Sequence, residues 1–377
     1  MVIAGYPPPS PADRVTVALA CALRKVVWWL RTPKESVPVV EKVLRGGLLI
    51  PVFAALSLLL RARARLGHSV QLPGGTGFGA TLMCRLPDLI ATYIWVFQEW
   101  EPDLTRFITS RLRDGDVFVD VGANIGYYSL LAAKSVGDGG GVVAVEASPA
   151  MFDDLRRNTL ANDHGDRIRE VNKAAAAKSG TLTVFAGPRH NAGMSTTLPT
   201  RGLHVESTVQ ALPLDEILTF QEITSTRLIK IDVEGAEPDV LAGMGNLIGS
   251  MRPDTEIVVE LSPRWWPDRR LLPLDVLRPF IDAGFNVYRM KNSYSAWRYL
   301  WPNEVSDAVR LRSPLTRRVS RLDLVLSRYD GDSLAIDART GYWLADGLSR
   351  IRTGRPRSRA LDSTRSRSGR PVRDWRH

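Results

Sequence analysis

Residues 114–129 read DGDVFVDVGANIGYYS, and this stretch decides the fold. An apolar run at 117–121 feeds directly into a glycine-containing turn and then into a segment with helical spacing. In an open α/β sheet a ligand sits beyond the carboxyl ends of the strands, and glycines there let the backbone approach it where a Cβ would collide. Gly122 and Gly126 suit that task. Asp120, at the strand end, is placed to accept hydrogen bonds from a ligand ammonium or to brace the turn. The turn reads G-x-N-x-G around Asn124, not G-x-G-x-x-G, so a pyrophosphate-bearing dinucleotide is disfavoured.

Outward from this stretch, apolar runs alternate with helical spacing. Strands are expected at 117–121, 142–146, 168–174, 228–233, 257–261, 286–290 and 322–327, and helices at 126–134, 149–162, 237–244 and 274–283. Pro149 and Pro238 stand where a first helical turn tolerates proline. Repeated β-α-β order implies a doubly wound α/β fold: a mostly parallel, seven-stranded, Rossmann-like sheet with helices on both faces. The expected organisation is a helical N-terminal extension over 1–75, the α/β domain over 76–330 and a C-terminal extension over 331–377.

Two further strand ends carry chemistry. The second expected strand ends in Glu146, 24 residues after Gly122. A carboxylate there can take both ribose hydroxyls of an adenosyl group, each charge-assisted bond contributing about 1.5–3 kcal/mol. At 228–237, LIKIDVEGAE brings Lys230, Asp232, Glu234 and Glu237 around Gly235. Strand alternation points Lys230, Asp232 and Glu234 in one direction, so three ionisable groups converge on the pocket edge. Like-charged neighbours raise a carboxyl's pKa towards that of a useful base, and Lys230 opposes the shift.

Charge distribution narrows the partners. The net charge is +10, but residues 1–85 hold 11 Lys and Arg against 3 Asp and Glu, and residues 350–377 hold 10 Arg against 2 Asp. The segment between is therefore net acidic by six charges, a poor surface for phosphate-rich polymers, and no nucleic-acid partner is expected. The Arg/Ser/Gly/Pro tail from 350 has the composition of a disordered segment. Cys21 and Cys84 show no disulfide or metal spacing, which points to a reducing, cytoplasmic setting.

Residues 46–60, GGLLIPVFAALSLLL, are uncharged but span only about 22 Å as a helix, short of a bilayer core of about 30 Å, and contain Pro51. Residues 15–30 suit an interfacial helix with Trp28 and Trp29 as anchor. Two readings stay open for residues 1–65: peripheral contact with the inner face of the cell membrane, or packing on the domain.

Taken in order, these strings resemble the FkbM-family methyltransferases, a branch of the class I S-adenosylmethionine-dependent enzymes. The match runs from Trp100-Glu101-Pro102 through DVFVDVGANIGYYS, VVAVEASP with Asn158 and Asn162, VNKAAAAKSGTLTVF, LPLDEIL and LIKIDVEGAEPDVLAGM to IVVELSP and DAGFNVYRM. The resemblance implies that Gly122, Asn124 and Gly126 wrap the methionine part of S-adenosylmethionine, with Asp120 supporting it and Glu146 on the ribose. It also implies O-methylation of a sugar, glycolipid or glycosylated natural product.

A hydroxyl nucleophile must be aligned and deprotonated, so Asp232 or Glu234 is the expected base, Glu260 the second candidate and Lys230 an orienter. Asp232 and Glu260 are oxygen donors suited to magnesium, but no third ligand declares itself and no metal is expected. His190 and His204, in a polar insertion over 187–206 expected to cover the acceptor, lack a defined partner. The rival readings are an NAD(P)-dependent oxidoreductase, disfavoured by the glycine pattern, and a non-catalytic membrane-peripheral assembly factor.

Overall fold

The computed structural model describes residues 11–31, 39–65, 70–188, 191–199, 203–295, 298–299, 306–312, 315 and 319–336. The expected tail from 350 and His190 lie outside the described residues. The chain opens with helices α1 (Pro11–Arg31) and α2 (Val39–Arg65), a hairpin of β1 (Val70–Gly75) and β2 (Thr81–Leu86), then α3 (Leu89–Phe97) and α4 (Pro102–Arg111). There follow β3 (Val117–Val121), α5 (Tyr127–Ser135), β4 (Gly141–Val145), α6 (Pro149–Leu160), β5 (Ile168–Val171), β6 (Ala174–Ala175), β7 (Gly180–Ala186) and β8 (His204–Leu212). The remainder comprises α7 (Leu214–Ile217), α8 (Phe220–Ser225), β9 (Thr226–Ile231), α9 (Glu237–Ala242), β10 (Glu256–Leu261), α10 (Pro273–Asp282), β11 (Asn286–Arg289), β12 (Ala308–Arg310), β13 (Leu322–Ser327) and β14 (Ser333–Leu334).

The main sheet has the order β14-β12-β11-β13-β10-β9-β3-β4-β5. Strands β5, β4, β3, β9 and β10 are parallel, and β13 inserts antiparallel between β10 and β11. The seven expected strands are contiguous in it, and the short strands β12 and β14 widen its edge to nine. The run expected as one strand over 168–174 divides: β5 joins the main sheet, while β6 joins a second sheet of order β6-β8-β7. A chain that turns at Asn172 to hydrogen-bond the Glu146 and Ala147 carbonyls cannot continue the first ladder.

Alternation along the strands sets two cores. Phe118, Val142, Ala144, Leu228 and Val258 face one side with α3, α4 and α5. Val119, Val121, Val143, Val145, Ile229 and Ile231 face the other with α9 and α10. Every residue of β3 is buried, as a central parallel strand requires.

The N-terminal region differs from the expectation. Helix α2 runs 27 residues through Pro51, about 40 Å, because the helix continues beyond the apolar 46–60 into the charged flanks VVEKVLR and RARAR. It packs antiparallel on α1: Arg63 pairs with Asp13 at 2.8 Å at one end, and Arg45 lies over the Trp29 ring at the other. The boundary expected after residue 75 falls inside the β1-β2 hairpin, and that expected after 330 falls before β14, which pairs with β12.

Candidate active site

The turn after β3 is shaped by packing from three directions. Gly122 has φ +81°, and a Cβ there would lie 1.9 Å from the Asp232 carbonyl oxygen, so only glycine lets the ends of β3 and β9 meet. The Gly122 and Ala123 N–H groups donate to the Val145 carbonyl at 2.9 and 3.0 Å, tying the turn to β4. Asn124 is left-handed, at φ +52°, and its N–H donates to Glu146 Oε2 at 2.8 Å. Gly126 has φ +89°, and a Cβ there would meet Leu155 Cδ1 of α6 at 2.6 Å.

Beyond the carboxyl ends of β3, β4, β9 and β10 lies a cavity of about 380 Å³, within the range of small-molecule sites. Gly122, Asn124, Glu146, Lys230, Asp232, Glu234 and Glu260 all line it, so seven of the nine expected residues converge on one space. Asp120 and Gly126 do not border it. Asp120 is fully buried beneath the turn, where it accepts hydrogen bonds from Ser129 Oγ at 2.7 Å and Lys230 Nζ at 3.4 Å. Of its two expected tasks it performs the bracing one. The insertion contributes Asn191 and residues 193–197, including Ser195, Thr196 and Thr197, to the cavity wall. His204 lies at the start of β8, exposed and away from that wall.

Glu146 lines the cavity from the end of β4. Its oxygens each accept one backbone N–H, from Asn124 and Ser148, both at 2.8 Å. A carboxylate offers about four lone-pair directions, so capacity for two further donors remains, which fits a ribose diol. Burial pushes its pKa up to about 7, against the pull of those two bonds.

On the other side of β3, the ends of β9 and β10 are crowded with acids. Lys230 Nζ lies 3.4 Å from Asp120 and 3.6 Å from Asp232, and 5.0 Å from the centre of the Tyr128 ring. Burial works against its charge, but Asp120 and Asp232 outweigh it and hold the ammonium above its ordinary value. Glu234 has φ +51°, a strained conformation for a side chain of this kind, in a turn closed by Gly235. Burial, then Asp232, raises its pKa to about 8. Beneath the turn, the fully buried Glu237 accepts hydrogen bonds from Gly235 N at 2.6 Å and Trp266 Nε1 at 2.9 Å. Glu260 has both oxygens engaged, accepting Tyr294 Oη at 2.6 Å and lying 3.4 Å from Arg321 Nε; burial, then Asp232, holds it well above the usual carboxyl range.

Several of these groups carried no local sequence signal. Tyr294 and Arg321 line the cavity from a loop after β11 and from the approach to β13. Arg321 stacks 3.8 Å over the Tyr294 ring and pairs with Asp323 at 2.9 Å. Behind them the buried Glu101 accepts Tyr128 Oη at 2.5 Å and Asn292 Nδ2 at 2.6 Å. Among the described residues, Glu101, Glu260 and Asp323 bring carboxylate oxygens within 4.8 Å of one another, a different set from the Asp232 and Glu260 weighed from the sequence. Arg321 already brings a guanidinium to two of the three.

Residues 120–287 match the family model of the methyltransferase FkbM domain. The chain is 27% identical to the hexuronic acid methyltransferase AglP of Haloferax volcanii, over 40% of this chain and 59% of that protein. It is 30% identical to the 31-O-demethyl-FK506 methyltransferase FkbM of Streptomyces tacrolimicus, over 35% of this chain and 61% of the relative. It is 27% identical to methyltransferase sdnD of Sordaria araneosa, over 48% and 77% respectively. The chain thus spans about three fifths of the length of the first two relatives.

Proposed function

We propose, from the premise that residues 120–287 are a methyltransferase FkbM domain of the S-adenosylmethionine-dependent class, that the protein methylates a hydroxyl oxygen on a sugar-like acceptor. The observation that carries this reading is one cavity lined both by Glu146, after β4, and by Asp232, Glu234 and Glu260, from β9 and β10 on the other side of β3. S-adenosylmethionine, when bound, supplies an electrophilic methyl group on sulfur. Glu146 would hold its ribose, and the backbone from Gly122 to Asn124 its methionine portion. The relatives' names support the acceptor class, one acting on a hexuronic acid and another on an O-demethylated product.

The chain's own residues then do three things. They exclude water, through the insertion wall at 193–197 and Tyr294. They orient the acceptor, with Lys230 and Arg321 as hydrogen-bond donors and the Thr196 and Thr197 hydroxyls beside them. They take the acceptor proton, and Glu234 is the group best suited. A pKa of about 8 matches proton affinity to a neutral operating pH, whereas Glu260 has both oxygens occupied by Tyr294 and Arg321.

The test is labelled-methyl transfer to p-nitrophenyl β-glucuronide and p-nitrophenyl β-glucoside. Glu234→Gln is expected to lower turnover about 10²–10⁴-fold while cofactor affinity stays within about threefold of the parent. Wild-type turnover should rise with pH through about 8, because the ionised carboxylate is the active form. Unchanged turnover in Glu234→Gln removes the assignment, and no transfer to either glycoside removes the acceptor class.

A further inference from the structure

Helices α1 and α2 leave an outer face that the domain does not cover. Val15, Leu19, Val26 and Trp29 on α1 are exposed, and Val40, Val43, Leu44, Leu48, Ile50 and Leu58 on α2 are exposed as well. The other large exposed apolar residues among those described are scattered over the rest of the fold. The spacing on α2, at 40, 44, 48, then 51, 54 and 58, makes one continuous stripe. Arg14 and Lys25 on α1 and Arg61 and Arg65 on α2 are exposed beside it. The acids on the two helices are engaged in ion pairs, Asp13 of α1 with Arg63 and Glu41 of α2 with Arg45. An apolar stripe bordered by basic side chains fits the headgroup layer of an anionic bilayer.

The segment Val43–Arg65 is long and apolar enough to cross a membrane, but its inner face is already taken. Phe53, in the middle of α2, packs on Tyr93 and Phe97 of α3 at 5.8 and 5.3 Å between ring centres. Leu49, Leu56 and Leu60 are buried on the same side. On α1, Trp28 Nε1 donates to the Val96 carbonyl and Arg24 lies over Trp95. Crossing the bilayer in this arrangement would carry α3 and the α/β domain into hydrocarbon, so a flat seat is the arrangement consistent with this packing. Helix α3 also joins this hairpin to the cavity, since its first residues, Leu89 and Ile90, line the cavity wall.

We propose that the outer face of the α1-α2 hairpin seats the protein on an anionic lipid surface, parallel to the bilayer plane. The test is flotation of the full chain with phosphatidylglycerol-containing vesicles and with pure phosphatidylcholine vesicles. Binding is expected to the anionic vesicles and to fall as salt is raised. Leu44→Gln/Leu48→Gln/Leu58→Gln, which keeps helix propensity, should lower vesicle partitioning about tenfold or more at every salt concentration, with thermal melting and cofactor affinity unchanged. Neutralising Arg14, Lys25, Arg61 and Arg65 to Gln should weaken anionic binding by about fivefold per residue and leave binding to neutral vesicles alone. Three results would overturn the proposal: no flotation of the wild-type chain with anionic vesicles, equal flotation of the triple variant, or a dimer by light scattering that the triple variant makes monomeric. No arm reads methyl transfer, so failure here is distinct from failure of the proposed activity.

Discussion

Binding of S-adenosylmethionine should tighten about tenfold between pH 6 and pH 8, and Glu146 is the reason. Its carboxyl is buried at the end of β4, which raises its pKa to about 7. In the ionised form each oxygen holds one backbone N–H and retains a lone pair for a ribose hydroxyl. Protonation replaces one acceptor by a donor and weakens the rest, and a charge-assisted bond contributes about 1.5–3 kcal/mol, which is about tenfold or more in affinity. Binding therefore follows the ionised fraction, about one in eleven at pH 6 and ten in eleven at pH 8. The ligand-free protein should show the opposite trend. A carboxyl whose folded pKa lies above its unfolded value contributes stability at low pH and loses it as pH rises, here by about 3 kcal/mol between pH 4.5 and 7. Isothermal titration calorimetry across this range, with wild type and Glu146→Gln, is the assay. The variant should bind about 10–150-fold more weakly at pH 8 and show no slope. A flat profile for wild type, or the same slope in Glu146→Gln, refutes the reasoning.

Two predictions concern the scaffold beneath the cavity. Lys230→Met leaves Asp120 fully buried without its cation and should cost about 3–5 kcal/mol in urea denaturation. Because the carboxyl can then relieve the burial only by taking a proton, the loss should grow as pH rises from 5 to 8, and adding Asp120→Asn should recover part of it. Gly122→Ala should abolish folding or lower stability by several kcal/mol, since a residue with φ +81° would also press a Cβ on the Asp232 carbonyl. Gly141→Ala, where nothing lies within 4 Å of the added carbon, should change the urea midpoint little.

The strands and their chemistry were legible where one segment of chain contains both cause and effect. The apolar run of β3, the glycine turn and the α5 helix are consecutive, so their order dictates a pocket at the strand end. Glu146 and Lys230, Asp232 and Glu234 were readable for the same reason. Tyr294 and Arg321 were not, because the fold brings them to the cavity from distant segments and no local pattern marks either, and Glu101 stood in the matched Trp100-Glu101-Pro102 string with nothing local to show that it meets Tyr128 and Asn292 behind the cavity. The short strands β12 and β14 were missed because two or three residues hold no periodicity to read. Pro51 misled, since proline lowers intrinsic helix propensity, while the packing of Phe53 on α3 and the burial of Leu49, Leu56 and Leu60 hold α2 as one helix.

The glycines teach a subtler point. Gly122 was read as leaving room for a ligand, and it does line the cavity, but the atom that forbids a larger residue is the Asp232 carbonyl. Asp120 follows the same logic: its carboxylate braces the turn through Ser129 and reaches the cavity only through Lys230. The conspicuous residues of the turn thus fix the distance between the ends of β3 and β9, and that distance places Lys230, Asp232 and Glu234 opposite Glu146. Burial then does the chemical work, lifting Glu146, Glu234 and Glu260 above their ordinary range. Four carboxyls, Glu146, Asp232, Glu234 and Glu260, face four cations, Lys173, Lys230, Arg264 and Arg321, across the cavity lining, so the placement of the charges and not their sum selects what binds.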